Sequence, residues 1–169
     1  MRAIYLIGFM AAGKTSVGKA LAEKMEVRVI DLDNYIEEKL AWDIPSIFER
    51  KGEVYFRDEE QSALQELPTS NIIVTTGGGV VLRKENRNHM KENGYVVYLE
   101  ATVDTIFERL SQQDGRPLAK GKSRSDIEKL AEKRQPYYED ADLTVQTDGK
   151  TIEQVADEIF AWIKSIEIA

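Results

Sequence analysis

The feature that most constrains the fold of this chain is a glycine-bounded loop near its N-terminus, GFMAAGKT at residues 8–15. It fits the pattern G-x-x-x-x-G-K-[ST], follows the apolar run AIYLI at residues 3–7, and precedes a helical pattern. A phosphate-binding loop needs this order of strand, loop and helix, because its backbone curls around an anion at the helix N-terminus. Lys14 can reach the outer phosphates, and the Thr15 hydroxyl can bind Mg²⁺. The loop therefore predicts a nucleoside triphosphate site; the alternative is a glycine-rich turn before an ordinary helix.

Composition limits the partners that the chain can have. Its 169 residues fit one domain, and 42% hydrophobic with 31% charged residues are typical of a globular protein. The net charge of -7 argues against a nucleic-acid platform, and the absence of cysteine excludes disulfides and cysteine metal sites. No apolar run approaches the roughly 18 residues of a membrane span, and the first predicted strand leaves no room for a signal peptide. We therefore expect a cytoplasmic protein that binds neither nucleic acid nor membrane. A monomer is expected as the default.

Apolar strand-like runs alternate with helical patterns along the chain, which predicts parallel strands joined by helices in one α/β domain. After the first strand, we predict strands at residues 27–30, 71–75, 95–99 and 143–145. A helix over residues 83–93 is expected to end at Gly94 in a left-handed conformation. Apolar periodicity vanishes over residues 112–122, which predicts a mobile loop. A capping box that starts at Ser125 should then open a helix that closes at Pro136.

Two carboxylates, Asp31 and Asp33, stand where the second predicted strand ends. Ligand sites of parallel α/β sheets lie at the carboxyl ends of strands, and residues i and i+2 of an extended chain can face one cleft. Asp31, nearer the strand, is predicted to help bind Mg²⁺ through water. Asp33 is predicted to anchor an acceptor hydroxyl or to accept its proton. The alternative is that one of the two, Asp33 in particular, only caps the helix that begins near Tyr35.

The third predicted strand runs through Thr75 and Thr76 into three glycines at residues 77–79. Many proteins with a phosphate-binding loop carry an acidic metal residue at this strand end, so its absence strengthens the metal role of Asp31. Successive glycines let a ligand approach backbone N–H groups closely. We therefore predict ligand contact at the glycines; the alternative is a tight turn with no further role.

Three arginines are candidate ligands for anionic groups. Arg57 stands among acids, so it could instead form a solvated pair with Asp58 or Glu60. Arg116 lies in the predicted mobile loop, where a closing lid could bring its guanidinium to a transferring phosphate; alternatively, it is a solvated loop charge. Arg134 could equally be a cation that stabilises a helix C-terminus. Singly, each arginine is a weak indication of a site.

Together these motifs resemble the shikimate kinases, members of the nucleoside-monophosphate-kinase-like branch of phosphate-loop proteins. The resemblance rests on motif order and separation along nearly the whole chain. It comprises the loop at residues 8–16, Asp31-x-Asp33, Phe56-Arg57 ahead of Gly77-Gly78-Gly79, and Arg116-Pro117-Leu118 before Arg134-x-Pro136-x-Tyr138.

The resemblance implies a three-layer α/β/α fold with a five-stranded parallel sheet of order 2-3-1-4-5. It implies a substrate-binding subdomain at about residues 34–60 and a lid at about residues 112–124 of a single kinase domain. The implied reaction transfers the γ-phosphoryl group of ATP, with Mg²⁺, to the 3-hydroxyl of shikimate, in aromatic amino acid biosynthesis.

The resemblance also implies roles for residues at matching positions. Shikimate would be held by Asp33, Arg57, Arg134 and the backbone of Gly78 and Gly79, with catalytic roles for Asp33, Lys14 and Arg116. The metal would be bound by Thr15 and Asp31. ATP would be contacted by Ala11, Ala12, Gly13, Lys14, Thr15, Ser16, Arg109, Arg116 and Lys150.

Two alternatives stay open at this point. One is a related small-molecule kinase, such as a gluconate kinase, because paired arginines favour a carboxylate without naming its bearer. The other is a nucleotide-switched regulatory module without an acceptor. Asp33, Arg57 and Arg134 argue against such a switch, which would not need them.

Overall fold

The computed structural model describes residues 1–112 and 123–168. Five parallel strands form one sheet in the order β2-β3-β1-β4-β5, which confirms the predicted fold class and strand order. The first strand is central, with Tyr5 paired to Val74 on one side and to Val96 on the other. The strands are β1 (Ala3–Ile7), β2 (Arg28–Asp31), β3 (Ile72–Thr75), β4 (Gly94–Glu100) and β5 (Leu143–Gln146).

Helices cover both faces of the sheet and give it three layers. Along β1, Ile4 and Leu6 pack towards the first and last helices, whereas Tyr5 and Ile7 pack towards the others. This alternation follows from the two-residue period of a strand. The helices are α1 (Lys14–Met25), α2 (Leu32–Leu40), α3 (Ile44–Glu66), α4 (Lys84–Asn93), α5 (Val103–Gln112), α6 (Arg124–Tyr138) and α7 (Ile152–Glu167), with a 3₁₀ turn at Val80–Leu82. None of these described helices is long and apolar enough to cross a bilayer.

The expected left-handed cap at Gly94 is wrong. Gly94 has φ -160° and ψ -164°, an extended conformation, and it is the first residue of β4. A Cβ at this position would overlap the carbonyl oxygen of Ala3 and lie 2.6 Å from Cε2 of Tyr5. Glycine is therefore required here by the close approach of β1, and not by a positive φ.

The helix α6 begins and ends at different residues from those predicted. Its capping box is formed by Ser123 and Asp126, two residues before the predicted start at Ser125. It also continues through Pro136 to Tyr138, because the ladder resumes with the Glu139 N–H donating to the Gln135 carbonyl at 3.0 Å. Burial of the Tyr138 ring, which is only 1% exposed, compensates for the hydrogen bond that proline cannot make.

Close packing of α1 on the sheet depends on Gly18. A Cβ there would overlap Cγ2 of Thr75 and lie 3.5 Å from Cδ1 of Leu6. We expect Gly18→Ala to lower the free energy of unfolding by about 1–3 kcal/mol, because an overpacked core must shift. Urea denaturation measures this change, with the exposed neighbour Lys19→Ala as the matched control. Alanine by itself favours a helix more than glycine does, so a loss of stability would have to come from overpacking. A Gly18→Ala variant as stable as the wild type would contradict the prediction.

Candidate active site

A cavity of about 840 Å³ lies at the carboxyl ends of β1, β2 and β3. It brings together the phosphate-binding loop and all but one of the residues for which a site role is predicted. The exception is Arg116, which lies outside the described residues. The cavity is lined by residues 10–17, Asp31, Asp33, Asn34, Glu37, Ile44, Pro45, Phe48, Phe56, Arg57, Glu60, residues 76–79, Arg109, Arg134, Thr147 and residues 150–152 with Val155.

The phosphate-binding loop connects β1 to the N-terminus of α1. Gly13 caps the helix with φ 95°, a left-handed conformation that favours glycine. The Lys14 ammonium is buried and donates to the carbonyl oxygens of Gly8 at 2.6 Å and Phe9 at 2.9 Å. The loop is therefore closed around its own lysine at the positive end of the α1 dipole, which is a favourable place for a phosphate.

The Asp31 carboxylate accepts hydrogen bonds from two threonine hydroxyl groups beside the loop. Its Oδ2 accepts from Thr15 Oγ1 at 3.1 Å and from Thr75 Oγ1 at 2.8 Å. Its Oδ1 accepts from the Asn34 N–H at 3.1 Å, so Asp31 is the N-cap of α2. The capping role that was weighed mainly for Asp33 thus falls to Asp31. Thr75, at the strand end that lacks an acid, orients the carboxylate of Asp31 towards Thr15.

Asp33 lies in the first turn of α2 and lines the cavity. Its Oδ1 is buried and has no hydrogen-bond partner among the described residues. Burial, reinforced by the nearby Asp31 carboxylate, raises the pKa of Asp33 to about 6, although Lys14 and Arg57 oppose the shift. A carboxylate with one unsatisfied oxygen and a pKa near neutrality is suited to hold a hydroxyl and accept its proton.

Arg57 pairs with Glu60, one of the two acids considered from the sequence, but the pair is not solvated. The guanidinium donates from Nη1 to Glu60 Oε1 at 2.9 Å, and Glu60 is 0% exposed. Asp58, the other candidate, pairs instead with Arg83 at 2.7 Å. Burial raises the pKa of Glu60 to about 7 despite the opposing charge of Arg57.

Sequence reasoning missed Glu60 as a residue of the site. The signal was present, because the buried positions of α3 recur at Phe56, Glu60, Ala63 and Leu64. That spacing places Glu60 on the apolar stripe of the helix, where an acid is uncommon unless it is paired. An ionisable residue in an apolar stripe therefore indicated a buried partner.

The three glycines after β3 each make room for one charged side chain. A Cβ at Gly77 would lie 2.9 Å from Asp33 Oδ1, and a Cβ at Gly78 would lie 3.2 Å from Arg134 Nη1. A Cβ at Gly79 would overlap Arg57 Nη2 and lie 2.5 Å from its Cζ. The sequence predicted that glycine lets a ligand approach the backbone. The structure adds that glycine lets these three side chains approach it.

Arg134 is held inside the protein and is not a solvated cation at a helix end. It is 8% exposed, its Nε is buried with no hydrogen-bond partner in the described chain, and its guanidinium lies 5.9 Å from the centroid of the Phe9 ring. Since α6 continues for one more turn to Tyr138, Arg134 does not cap its C-terminus. A buried guanidinium with an unsatisfied donor, in the same cavity as Arg57, favours an anionic ligand.

Arg109 and Lys150 also line the cavity. Arg109 Nη1 donates to the Ala11 carbonyl at 2.9 Å and so fixes the loop to α5. Lys150 forms an ion pair with Glu158 at 2.7 Å. Each of these two residues therefore already has a protein partner.

The raised pKa of Asp33 predicts the pH dependence of the reaction. If its carboxylate accepts the proton of the acceptor hydroxyl, only the ionised form is active, so activity is lost as the pH falls through about 6. We expect kcat/KM for the acceptor to fall roughly tenfold for each unit below that pH, because kcat/KM reports the free enzyme. Initial rates between pH 5 and pH 9 measure this profile. A profile that stays flat down to pH 5 would refute the assignment.

The parallel sheet of this order and the phosphate-binding loop at the end of its central strand define a P-loop kinase. The family model described as shikimate kinase matches residues 10–164. The chain belongs to the shikimate kinase family, whose members are ATP-dependent kinases, and this confirms the resemblance found in the sequence.

Individual relatives agree with the family match. The chain is 46% identical to a shikimate kinase of Persephonella marina, over 97% of this chain and all of the relative. It is 45% identical to a shikimate kinase of Bacillus cereus, over 94% of this chain and 96% of the relative.

Solved structures agree as well. The structure of shikimate kinase from Acinetobacter baumannii in complex with shikimate superposes with a TM-score of 0.94 and 35% identity, covering 100% of this chain and 96% of that one. The shikimate kinase from Aquifex aeolicus superposes with a TM-score of 0.84 and 34% identity, covering 99% of each chain.

Proposed function

We propose that this protein transfers the γ-phosphoryl group of ATP to the 3-hydroxyl of shikimate in aromatic amino acid biosynthesis, as a cytoplasmic monomer. One observation carries the proposal: the Asp33 carboxylate, whose Oδ1 is buried, and the largely buried side chains of Arg57 and Arg134 line the same cavity as the phosphate-binding loop. That cavity combines a site for a triphosphate with a site for an acid that bears hydroxyls. The relative from Acinetobacter baumannii supports shikimate as that acid, because its structure is a complex with shikimate.

Arg57 and Arg134 are proposed to hold the acceptor carboxylate. Two guanidinium groups bind one carboxylate strongly and directionally, because each can donate parallel hydrogen bonds. The backbone N–H groups of Gly78 and Gly79 are proposed to bind the acceptor beside them. Residues 34–60 are then a substrate-binding subdomain, since they supply Arg57 and the apolar wall at Ile44 and Phe48.

Asp33 is proposed to orient the acceptor hydroxyl and to receive its proton as the phosphoryl group is transferred. Its buried Oδ1 has no partner among the described residues and is available for that hydroxyl. The Lys14 ammonium is proposed to hold the outer phosphates, where it stabilises the charge that develops in the transition state. Arg116 is proposed to act on the same phosphates from a lid at about residues 112–124.

Mg²⁺ fits the oxygen donors beside the loop. Magnesium prefers oxygen ligands and retains several waters, and the hydroxyl of Thr15 and the carboxylate of Asp31 supply such oxygens 3.1 Å apart. Thr15 and Asp31 are therefore proposed to hold the ion, which would neutralise phosphate charge when bound. Ala11, Ala12, Gly13 and Ser16 are proposed to complete the ATP cradle, with Arg109 and Lys150 near the base.

A coupled assay of ADP release, with shikimate, quinate and gluconate as separate acceptors, tests the proposal. We expect turnover with shikimate and little or none with the other two acids. Preference for gluconate would favour the related small-molecule kinase. ATP binding without turnover of any acceptor would favour the nucleotide-switched module.

A further inference from the structure

We infer that Tyr138 is a positioning residue for the acceptor site. It sets the orientation of the Gly78–Gly79 peptide through a hydrogen bond to the Gly78 carbonyl. The Tyr138 hydroxyl donates to the Gly78 carbonyl at 2.5 Å. Tyr138 is not among the residues that line the cavity, so it acts on the site through two neighbours: the Gly78 carbonyl, which accepts its hydrogen bond, and the Arg134 side chain, which also interacts with its hydroxyl. The inference rests on the proposed function, because it concerns how the acceptor is held.

The direction of the Gly79 N–H follows from this hydrogen bond. The chain has no cis peptide bond among its described residues, and in a trans peptide the C=O and N–H point in opposite directions. Since the Gly78 carbonyl points to Tyr138, the Gly79 N–H points away from it. Gly79 is buried and lines the cavity, and its N–H has no acceptor among the described residues. A buried N–H without a partner is a donor ready for a ligand.

The Tyr138 ring is fixed well enough to hold this orientation. It is 1% exposed and stacks on the Tyr98 ring, with centroids 5.1 Å apart and planes at 18°. Burial raises the pKa of Tyr138 to about 12, so the hydroxyl stays protonated and donates at any physiological pH. Tyr98 comes from β4, so the stacked rings connect β4 to α6, and the Tyr138 hydroxyl connects α6 to Gly78.

Tyr138 and Arg134 act on the same glycine from adjacent turns of α6. Arg134 Nη1 packs over the Cα of Gly78, where a Cβ would be 3.2 Å away, while Tyr138 binds its carbonyl. This arrangement exists only because α6 continues through Pro136. One helix thus places a guanidinium in the cavity and also orients the peptide beside it.

The test compares Tyr138→Phe, which keeps the stacked ring and removes only the hydroxyl, with Tyr98→Phe as the matched control. No hydrogen bond is described for the Tyr98 hydroxyl within residues 1–112 and 123–168. We expect Tyr138→Phe to raise the acceptor KM roughly 5- to 30-fold, as expected for a buried carbonyl that loses its partner, and to leave the ATP KM unchanged. Tyr98→Phe should change neither constant. An unchanged acceptor KM, or equal changes in both constants, would overturn the inference.

A second readout separates this inference from the proposed function. In the acceptor-free protein, the amide signal of Gly79 in an NMR spectrum should move in Tyr138→Phe and stay in place in Tyr98→Phe. An unmoved Gly79 signal in Tyr138→Phe overturns the inference whichever acceptor the enzyme uses. By contrast, a wild-type protein that does not turn over shikimate overturns the proposed function alone.

Discussion

Asp33→Asn is expected to lower kcat with shikimate by about 10²- to 10⁴-fold, the usual contribution of a general base. Asparagine keeps the shape of the side chain, so it should still fit against Gly77. It cannot accept the proton of the acceptor hydroxyl, and it does not carry the negative charge that favours that transfer. Steady-state rates, together with calorimetric titration of ATP, measure the effect. ATP affinity should be nearly unchanged, because Asp33 is not among the proposed ATP ligands.

The matched control for this variant is Glu38→Gln. It removes the same charge from α2, but at an exposed position that forms no hydrogen bond or ion pair with the described residues. We expect the control to behave like the wild type. Loss of ATP binding in Asp33→Asn, with normal turnover at saturating ATP, would contradict the assignment of Asp33 to the acceptor.

Arg57→Ala is expected to raise the acceptor KM by roughly 10- to 100-fold, the value of a charge-assisted hydrogen bond to a carboxylate. The ATP KM should change little, because the guanidinium is paired with Glu60 on α3, away from the loop. The change should not unfold the protein, since Glu60, whose pKa is already about 7, can become neutral by protonation. An unchanged acceptor KM would rule out a carboxylate-binding role for Arg57.

Gly79→Ala tests the same role without removing the guanidinium. The new methyl group would overlap Arg57, which cannot retreat easily because Glu60 holds it at 2.9 Å. We expect the acceptor KM to rise as it does in Arg57→Ala. Gly52→Ala is the control for a glycine substitution on the same helix as Arg57, because a Cβ there meets no atom within 4 Å, although its φ of 84° predicts some loss of stability. An acceptor KM that rises equally in both glycine variants would point to general loosening of the subdomain.

Much of the architecture could be predicted because it depends on local patterns. The loop motif and the apolar runs each occupy a few successive residues, and the structure has a loop and strands there. The order of strands came from resemblance. The predictions are wrong where residues distant in the sequence determine the local conformation. Glycine is required at position 94 because the chain there lies close to Ala3 and Tyr5, and α6 extends to Tyr138 because that ring is buried. Neither contact can be recognised from the local sequence.

The same division holds for the candidate site. The residue patterns could name Asp33, Arg57 and Arg134 as unusual charges, but only the resemblance grouped them into one site, because they come from α2, α3 and α6. The capping alternative was weighed mainly for Asp33 but applies to Asp31, since the Asn34 N–H donates to Asp31. Glu60 was missed because the acids around it hid its place on the apolar stripe of α3.

The closure of the loop on Lys14 has a consequence for nucleotide affinity. The ammonium is already buried and donates to the Gly8 and Phe9 carbonyls at 2.6 and 2.9 Å. A phosphate that takes over this ammonium exchanges one set of hydrogen bonds for another and does not strip a hydrated ion. Such an exchange spares the dehydration of the lysine but leaves two carbonyls to be satisfied elsewhere. If Lys14 binds the outer phosphates as proposed, the affinity for ATP reflects the difference between these two sets of hydrogen bonds.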